Sequence, residues 1–363
     1  MLRALRSLAL ALIAVPVLSC GPGDSSNAGS QSLTGIPAAA DSMAGGNKVI
    51  GVMTRNLYLG ADLTPVIAAT DFSQFLDATT AVWSMVQKNN FHARAQAVAD
   101  EIAARRPALV GLQEAYTWRT QTPADGQATP ATEVAFDYVP ELIAALRERH
   151  LKYRVAASVT LFDFEAPTKL GNDARMTDHG VILAREDVHT ANPRGNVFTT
   201  LLPVTVLGQA VLVKRGWVSV DVKYRGEELR FVSTHLESFH PVVRQAQALE
   251  LATALAGEKR QVVLVGDLNS HPGTEGEAIL AAAGFTDTWA TLYPAKEGLT
   301  CCWPEDLTQT APPFSERIDY VLTRGIANPV SADISGDDLA SRVSGLWPSD
   351  HGGLFAELRI ANR

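Results

Sequence analysis

The sequence predicts an α+β fold in which stacked sheets are covered by helices on their outer faces. Three observations carry this. Short apolar, β-branched runs outnumber the helical patterns. Two of those runs, residues 211–223 and 228–235, flank Arg225-Gly226 and read as a hairpin, which an all-parallel barrel would not contain. With 46% hydrophobic and 19% charged residues, the 363-residue chain has enough apolar material for a large core, and a collagen, a coiled coil or a mostly disordered chain is excluded.

The elements follow in order. Residues 49–56 form a short buried strand that ends in the polar Asn56. Residues 91–105 form a helix, with Ala95, Val98, Ala99 and Ile102 on one face, and Pro107 stops it. A strand over 108–112 comes next, then a helix over 138–150 and strands over 153–157 and 180–184. After the hairpin, a helix rich in Ala, Leu and Gln spans 242–256 and a strongly β-branched strand spans 261–265. Strands over 317–322 and 354–360 close the chain. The segments 117–137 and 294–316 read as long loops, no basic run with interleaved aromatics is present, and no apolar hairpin suited to entering a bilayer is evident.

The N-terminus is organised differently. Arg3 and Arg6 precede an apolar run over 8–18 that is too short to span a bilayer. Val17-Leu18-Ser19-Cys20-Gly21 resembles a bacterial lipobox. The resemblance implies a signal peptide over 1–19 and lipid on the sulfur of Cys20, hence attachment to a membrane of the cell envelope. Gly21 suits the outer membrane in a Gram-negative host. Residues 20–47, rich in Gly, Ser, Ala and Pro, read as a flexible tether, leaving 48–363 as the folded domain. Net charge is −8, and loss of Arg3 and Arg6 with the signal makes it −10. Such a surface repels a long polyanion unless a local basic groove receives it. The other two cysteines, Cys301 and Cys302, are adjacent; a vicinal disulfide and two reduced thiols both remain open.

Polar residues of a narrow kind stand where the strands stop: Asn56, Gln113-Glu114, His235, Asp267 with Asn269, Asp319, and Asp350-His351. Strand ends gather on one rim of a sheet, so these side chains can share a pocket. Carboxylate and amide oxygens suit a hard divalent cation, and histidines paired with an aspartate suit proton transfer. No GxSxG, Walker A or GxGxxG motif is present.

The ordered series Asn56, Leu112-Gln113-Glu114, Ser233-Thr234-His235-Leu236, Gly266-Asp267-Leu268-Asn269, Arg317-Ile318-Asp319-Tyr320 and Ser349-Asp350-His351 resembles the endonuclease/exonuclease/phosphatase superfamily. That group includes pancreatic-type deoxyribonucleases and neutral sphingomyelinases. The resemblance implies a four-layer α/β/β/α sandwich of two mixed sheets and Mg²⁺-dependent phosphoester cleavage, with Mn²⁺ as the other ion such a site accepts. It implies that Glu114, Asn56 and Asp350 hold the metal, and that His235, Asp267, Asn269, Asp319 and His351 are catalytic. Asp319 would pair with His351, while the general base stays open between Asp267 and His351. The substrate is then a phosphodiester, a nucleic acid first and a phospholipid head group second; no protein partner is expected. A non-catalytic binding protein on the same fold is the alternative of a different class. Arg94 reads as either a framework residue or a solvated helix charge, and Arg244 and Gln247 as either contacts to substrate phosphate or a solvated helix face.

Overall fold

The computed structural model describes residues 48–310, 314–326 and 328–361. The expected signal peptide, the tether and Cys20 lie outside the described residues. The chain opens with β1 (Val49–Asn56), then α1 (Thr64–Ala68), α2 (Phe72–Lys88), α3 (Phe91–Arg105) and β2 (Leu109–Gln113). Next come β3 (Thr117–Gln121), β4 (Glu133–Asp137), α4 (Tyr138–Glu148), β5 (Tyr153–Pro167), β6 (Asp173–Arg185) and β7 (His189–Val197). The middle of the chain holds β8 (Leu202–Val206), β9 (Gln209–Val213), β10 (Gly216–Tyr224), β11 (Glu227–His235), α5 (Pro241–Leu255) and β12 (Gln261–Asp267). It ends with α6 (Glu275–Ala282), β13 (Thr286–Asp287), α7 (Thr288–Leu292), β14 (Asp319–Arg324), β15 (Asn328–Ser335) and β16 (Gly353–Arg359).

Two large mixed sheets result. One runs β15-β16-β1-β2-β6-β3-β4, with β5 also on β6; the other runs β13-β14-β12-β11-β10-β7. Strand alternation sorts the side chains into layers, because successive residues point to opposite faces. On β12, Val263 and Val265 join Phe231, Val218, Ile50, Val52 and Leu109 in the core between the sheets. Val262 and Leu264, one residue out of phase, pack with Leu251 of α5 and Leu280 of α6. Met53, Val110 and Leu183 face the other way, onto Val82, Val98 and Leu142 of α2, α3 and α4. The order is helices, sheet, sheet, helices: the expected four-layer sandwich.

Gly111 of β2 lies directly against the other sheet. A Cβ there would stand 2.5 Å from Val265 Cγ2 and 2.7 Å from Ser233 Oγ.

Several sequence expectations need correction. The helix α2 was not foreseen, although Phe75, Ala78, Thr79, Val82, Trp83 and Val86 bury one helical face. The segment 211–223 is two strands: β9 ends at Val213 and β10 begins at Gly216. β9 pairs with β8 in a separate apolar hairpin that the merged reading hid. Residues 117–137 are not one loop, since β3 and β4 pair across them.

Candidate active site

Register explains why distant polar residues meet. β1 and β2 run parallel with Asn56 opposite Gln113, and β11 and β12 run parallel with His235 opposite Asp267. β14 runs antiparallel to β12, so its first residue, Asp319, lies beside Asp267. These strands therefore deliver Asn56, Glu114, His235, Asp267 and Asp319 to one rim. His351 enters just before β16, and an isolated bridge to Cys301 fixes its backbone.

The side chains form a connected network. Asn56 Nδ2 donates to Glu114 Oε1 and to Asp267 Oδ2, both at 3.2 Å, and lies 3.5 Å from His351 Nε2. Glu114 Oε2 accepts from the Leu59 backbone N–H at 2.7 Å. Asp267 Oδ1 accepts from the Asn269 N–H at 2.9 Å, and Asn269 Nδ2 donates to the Leu236 carbonyl at 3.0 Å. His351 Nδ1 is 2.8 Å from Asp319 Oδ2. Asp350 accepts from the Ser349 hydroxyl at 3.3 Å. Glu114 and Asn269 both hold positive φ, +53° and +48°, a conformation that non-glycine residues adopt at a cost and that tends to collect at functional sites.

Electrostatics separates the two histidines. Burial and the neighbouring Arg215 guanidinium hold His235 well below the usual imidazole range. Arg215 Nη1 lies 3.1 Å from His235 Nδ1; arginine only donates, so Nδ1 accepts and Nε2 carries the proton toward Asp267 Oδ2 at 3.4 Å. Burial also works against charge on His351, but Asp319, Asp350 and Asp267 outweigh it and hold the ring well above its usual range. Burial raises Asp267 to about 7, with the positive His351 opposing and Asp319 adding to the rise. Burial likewise raises Asp350 to about 6, with Glu114 contributing in the same direction.

This crowding of carboxylates fits a divalent cation. Glu114 and Asp350 offer hard oxygens, and the carboxylates at the rim raise one another's proton affinity, which a cation would relieve. Asn56 accepts the Tyr58 N–H with Oδ1 at 2.9 Å and turns Nδ2 to the carboxylates, so it joins a metal's ligands only with its amide reversed. Asp319 Oδ1 is buried with no hydrogen-bond partner. Asp267, Asp319 and His351 also bring one ligand atom each within 4.8 Å of one another.

Cys301 and Cys302 are joined as a vicinal disulfide, one of the two states the sequence left open. Cys301 Sγ lies 3.5 Å from His351 Nε2, so the pair is part of the site wall.

Arg215 escaped the sequence reading. It faces His235 and sits 3.6 Å from the buried Asp178, whose two oxygens lack hydrogen-bond partners. Burial raises Asp178 to about 7, against the opposing charge of Arg215. The clue was present: Lys214-Arg215-Gly216 interrupts an otherwise apolar run.

Supporting residues are also clear. Arg94 is fully buried and donates to the carbonyls of Asn89, Leu57, Pro348 and Tyr58, so it is framework and not a solvated charge. Gln113 accepts from Thr54 Oγ1 in one sheet and donates to Ser233 Oγ in the other, each at 3.0 Å. Arg244 and Gln247 are buried, not solvated: Arg244 donates to the carbonyls of Glu237 and Ser238, and Gln247 binds the Glu237 N–H.

Fold and site together define a deoxyribonuclease I-like phosphoesterase class. Residues 84–351 match the Endonuclease/Exonuclease/phosphatase family, and the chain belongs to it. Among solved structures, an endonuclease/exonuclease/phosphatase family protein from Bacteroides thetaiotaomicron superposes with a TM-score of 0.54 at 14% identity, covering 87% of this chain and 100% of that one. The corresponding protein from Bacteroides vulgatus gives 0.52 at 16%, covering 86% and 99%. A D. rerio TDP2 humanized by 14 mutations gives 0.52 at 17%, covering 86% and 99%. At these identities the likeness shows the fold. No curated protein matches the chain.

Proposed function

We propose that this protein is an exported, lipid-anchored, metal-dependent phosphodiesterase. The observation that carries the catalytic part is the convergence of Asn56, Glu114, His235, Asp267, Asn269, Asp319 and His351 into one hydrogen-bonded cluster on the shared rim. The lipobox-like Val17-Leu18-Ser19-Cys20-Gly21 supports the anchor.

Asn56, Glu114 and Asp350 are the residues that would hold Mg²⁺ or Mn²⁺. When bound, the ion neutralises phosphate charge and lowers the barrier to attack by an anion or a water. The protein's own groups do the rest. Asp267 is the carboxylate placed to orient a water and take its proton. His351, kept protonated by Asp319, donates a hydrogen bond to a phosphoryl oxygen or a proton to the leaving oxygen. His235, neutral with its proton on Nε2, donates toward Asp267 Oδ2. The Asn269 amide, one of whose hydrogens goes to the Leu236 carbonyl, has a second to give to a phosphoryl oxygen.

The substrate is a phosphodiester, with nucleic acid and a phospholipid head group as the two classes to separate. The experiment is to incubate the full chain with plasmid DNA, sphingomyelin and bis-p-nitrophenyl phosphate in Mg²⁺ or in EDTA. EDTA-sensitive nicking selects the nuclease reading, and EDTA-sensitive phosphocholine release selects the lipid reading. No turnover of any phosphoester by metal-bearing protein would leave the alternative of a surface binding protein on this fold.

A further inference from the structure

The catalytic rim opens into an apolar cavity of about 350 Å³ that the hydrolytic chemistry does not use. Its walls come from α1 and α2 through Val66 and Trp83, from β6 through Met176, and from the β8–β9 hairpin through Val204 and Val211. Glu114 and Asp350 stand at its polar end, so the cavity is continuous with the residues that would hold the metal. Phe239 lines it and is 57% exposed, which marks the side open to solvent. Ligand sites in proteins have this size and this mixture of apolar wall and few convergent polar groups.

We propose that this cavity receives the hydrocarbon chain of an amphiphilic phosphodiester, making the substrate a phospholipid-like molecule and not a nucleic acid strand. The inference rests on the phosphodiesterase reading and deepens it. Two features favour a hydrocarbon occupant. Continuity with Glu114 and Asp350 means that a phosphate at the metal residues leaves its ester substituent facing the apolar walls. Charge points the same way: with Glu114 and Asp350 assigned to the metal, the lining is left with Asp62 and Glu305 against Lys214 and Arg215, and Arg215 is already opposed by Asp178, so no net positive patch lines it. A polyanion gains little there, whereas an alkyl chain gains from burial. The volume lies within the range that ligand-sized molecules fill.

Binding tests this without requiring turnover. Isothermal titration of the full chain in Mg²⁺ with methyl-, butyl-, octyl- and dodecylphosphonate, each below its micelle concentration, should show Kd falling with chain length. The fall should approach fourfold per methylene where burial is complete, the equivalent of ~0.8 kcal/mol per buried CH₂, and exceed about 100-fold from butyl to dodecyl. Ala166→Trp should fill the cavity and Val211→Asp should make its wall polar. Each should remove at least about tenfold of the dodecylphosphonate affinity while leaving methylphosphonate affinity within about twofold of wild type. That second reading shows that the variant is folded.

A Kd independent of chain length overturns the inference. So does binding of a single-stranded DNA oligonucleotide that dodecylphosphonate cannot displace. Chain-length-dependent binding with no hydrolysis of any phosphodiester would support the cavity assignment and defeat the phosphodiesterase reading on its own.

Discussion

Replacing Asp319 with Asn keeps the side chain's shape and removes its charge. Asp319 is fully buried, and its Oδ2 lies 2.8 Å from His351 Nδ1. At an effective dielectric constant of ~20, two unit charges at that distance attract by about 6 kcal/mol, an upper bound. Measured costs of breaking one side of a buried pair cluster at about 3–5 kcal/mol. The His351 imidazole should lose the largest share of its elevated proton affinity, leaving Asp350 and Asp267 to raise it. The sign follows from the direction: Asp319 raises His351, so the pair stabilises the folded protein fully below the ordinary histidine range, and the contribution is lost as pH rises through the folded value. The stability gap between wild type and Asp319→Asn should therefore be widest at about pH 6 and narrow in alkali. For activity, removing a positioned acid–base pair should lower kcat by about 10²–10⁴. The assay is bis-p-nitrophenyl phosphate hydrolysis against pH, with ¹⁵N imidazole NMR of the metal-free protein reporting His351 directly. A kcat within threefold of wild type, or a His351 titration unchanged from wild type in the variant, would refute the reasoning.

Other consequences are independent of the site chemistry. Glu258 is held down to about 2 chiefly by its hydrogen bonds to Arg260, 2.8 Å and 2.7 Å away. Its stabilisation is present above its usual value near 4.5 and is lost as pH falls toward 2; after discounting for solvent screening it amounts to about 1–2 kcal/mol. Glu258→Gln should lower Tm at pH 6 and match wild type at pH 2, so a gap that persists in acid would contradict the sign. Gly111→Val should force the sheets apart at Val265 and Ser233, costing about 2–3 kcal/mol or preventing folding; an unchanged urea midpoint would contradict the close approach. Cys20→Ser should move the protein from the membrane fraction to the soluble fraction, and unchanged fractionation would contradict the anchor.

The site was legible because its chemistry sits at the ends of apolar runs, and parallel pairs such as β1–β2 and β11–β12 carry those ends to one place. Asn56, Glu114, His235, Asp267, Asp319 and His351 could thus be singled out one strand at a time. What stayed hidden depends on partners far along the chain. Arg94 has the spacing of a surface charge, and only the carbonyls of Leu57 and Pro348 around it reveal that it is buried. Arg215 lies in a two-residue break between strands, and its importance comes from His235 and Asp178 across the sheet. The helix α2 has a clear apolar period, but its Ser and Thr residues weaken the propensity signal. The β8–β9 hairpin was lost because β9 and β10 are separated by only Lys214 and Arg215, which let two apolar strands read as one. That error concealed a wall of the cavity from which the substrate class is inferred.

The central claim is that the clustered carboxylates hold a catalytic divalent cation. An anomalous-difference map from crystals soaked in Mn²⁺ tests it most directly. The account predicts a peak among Asn56, Glu114 and Asp350, with ligand oxygens at about 2.0–2.6 Å, the span of hard divalent cations. A map with no peak there, or with Mn²⁺ held only among Asp267, Asp319 and His351, would contradict it.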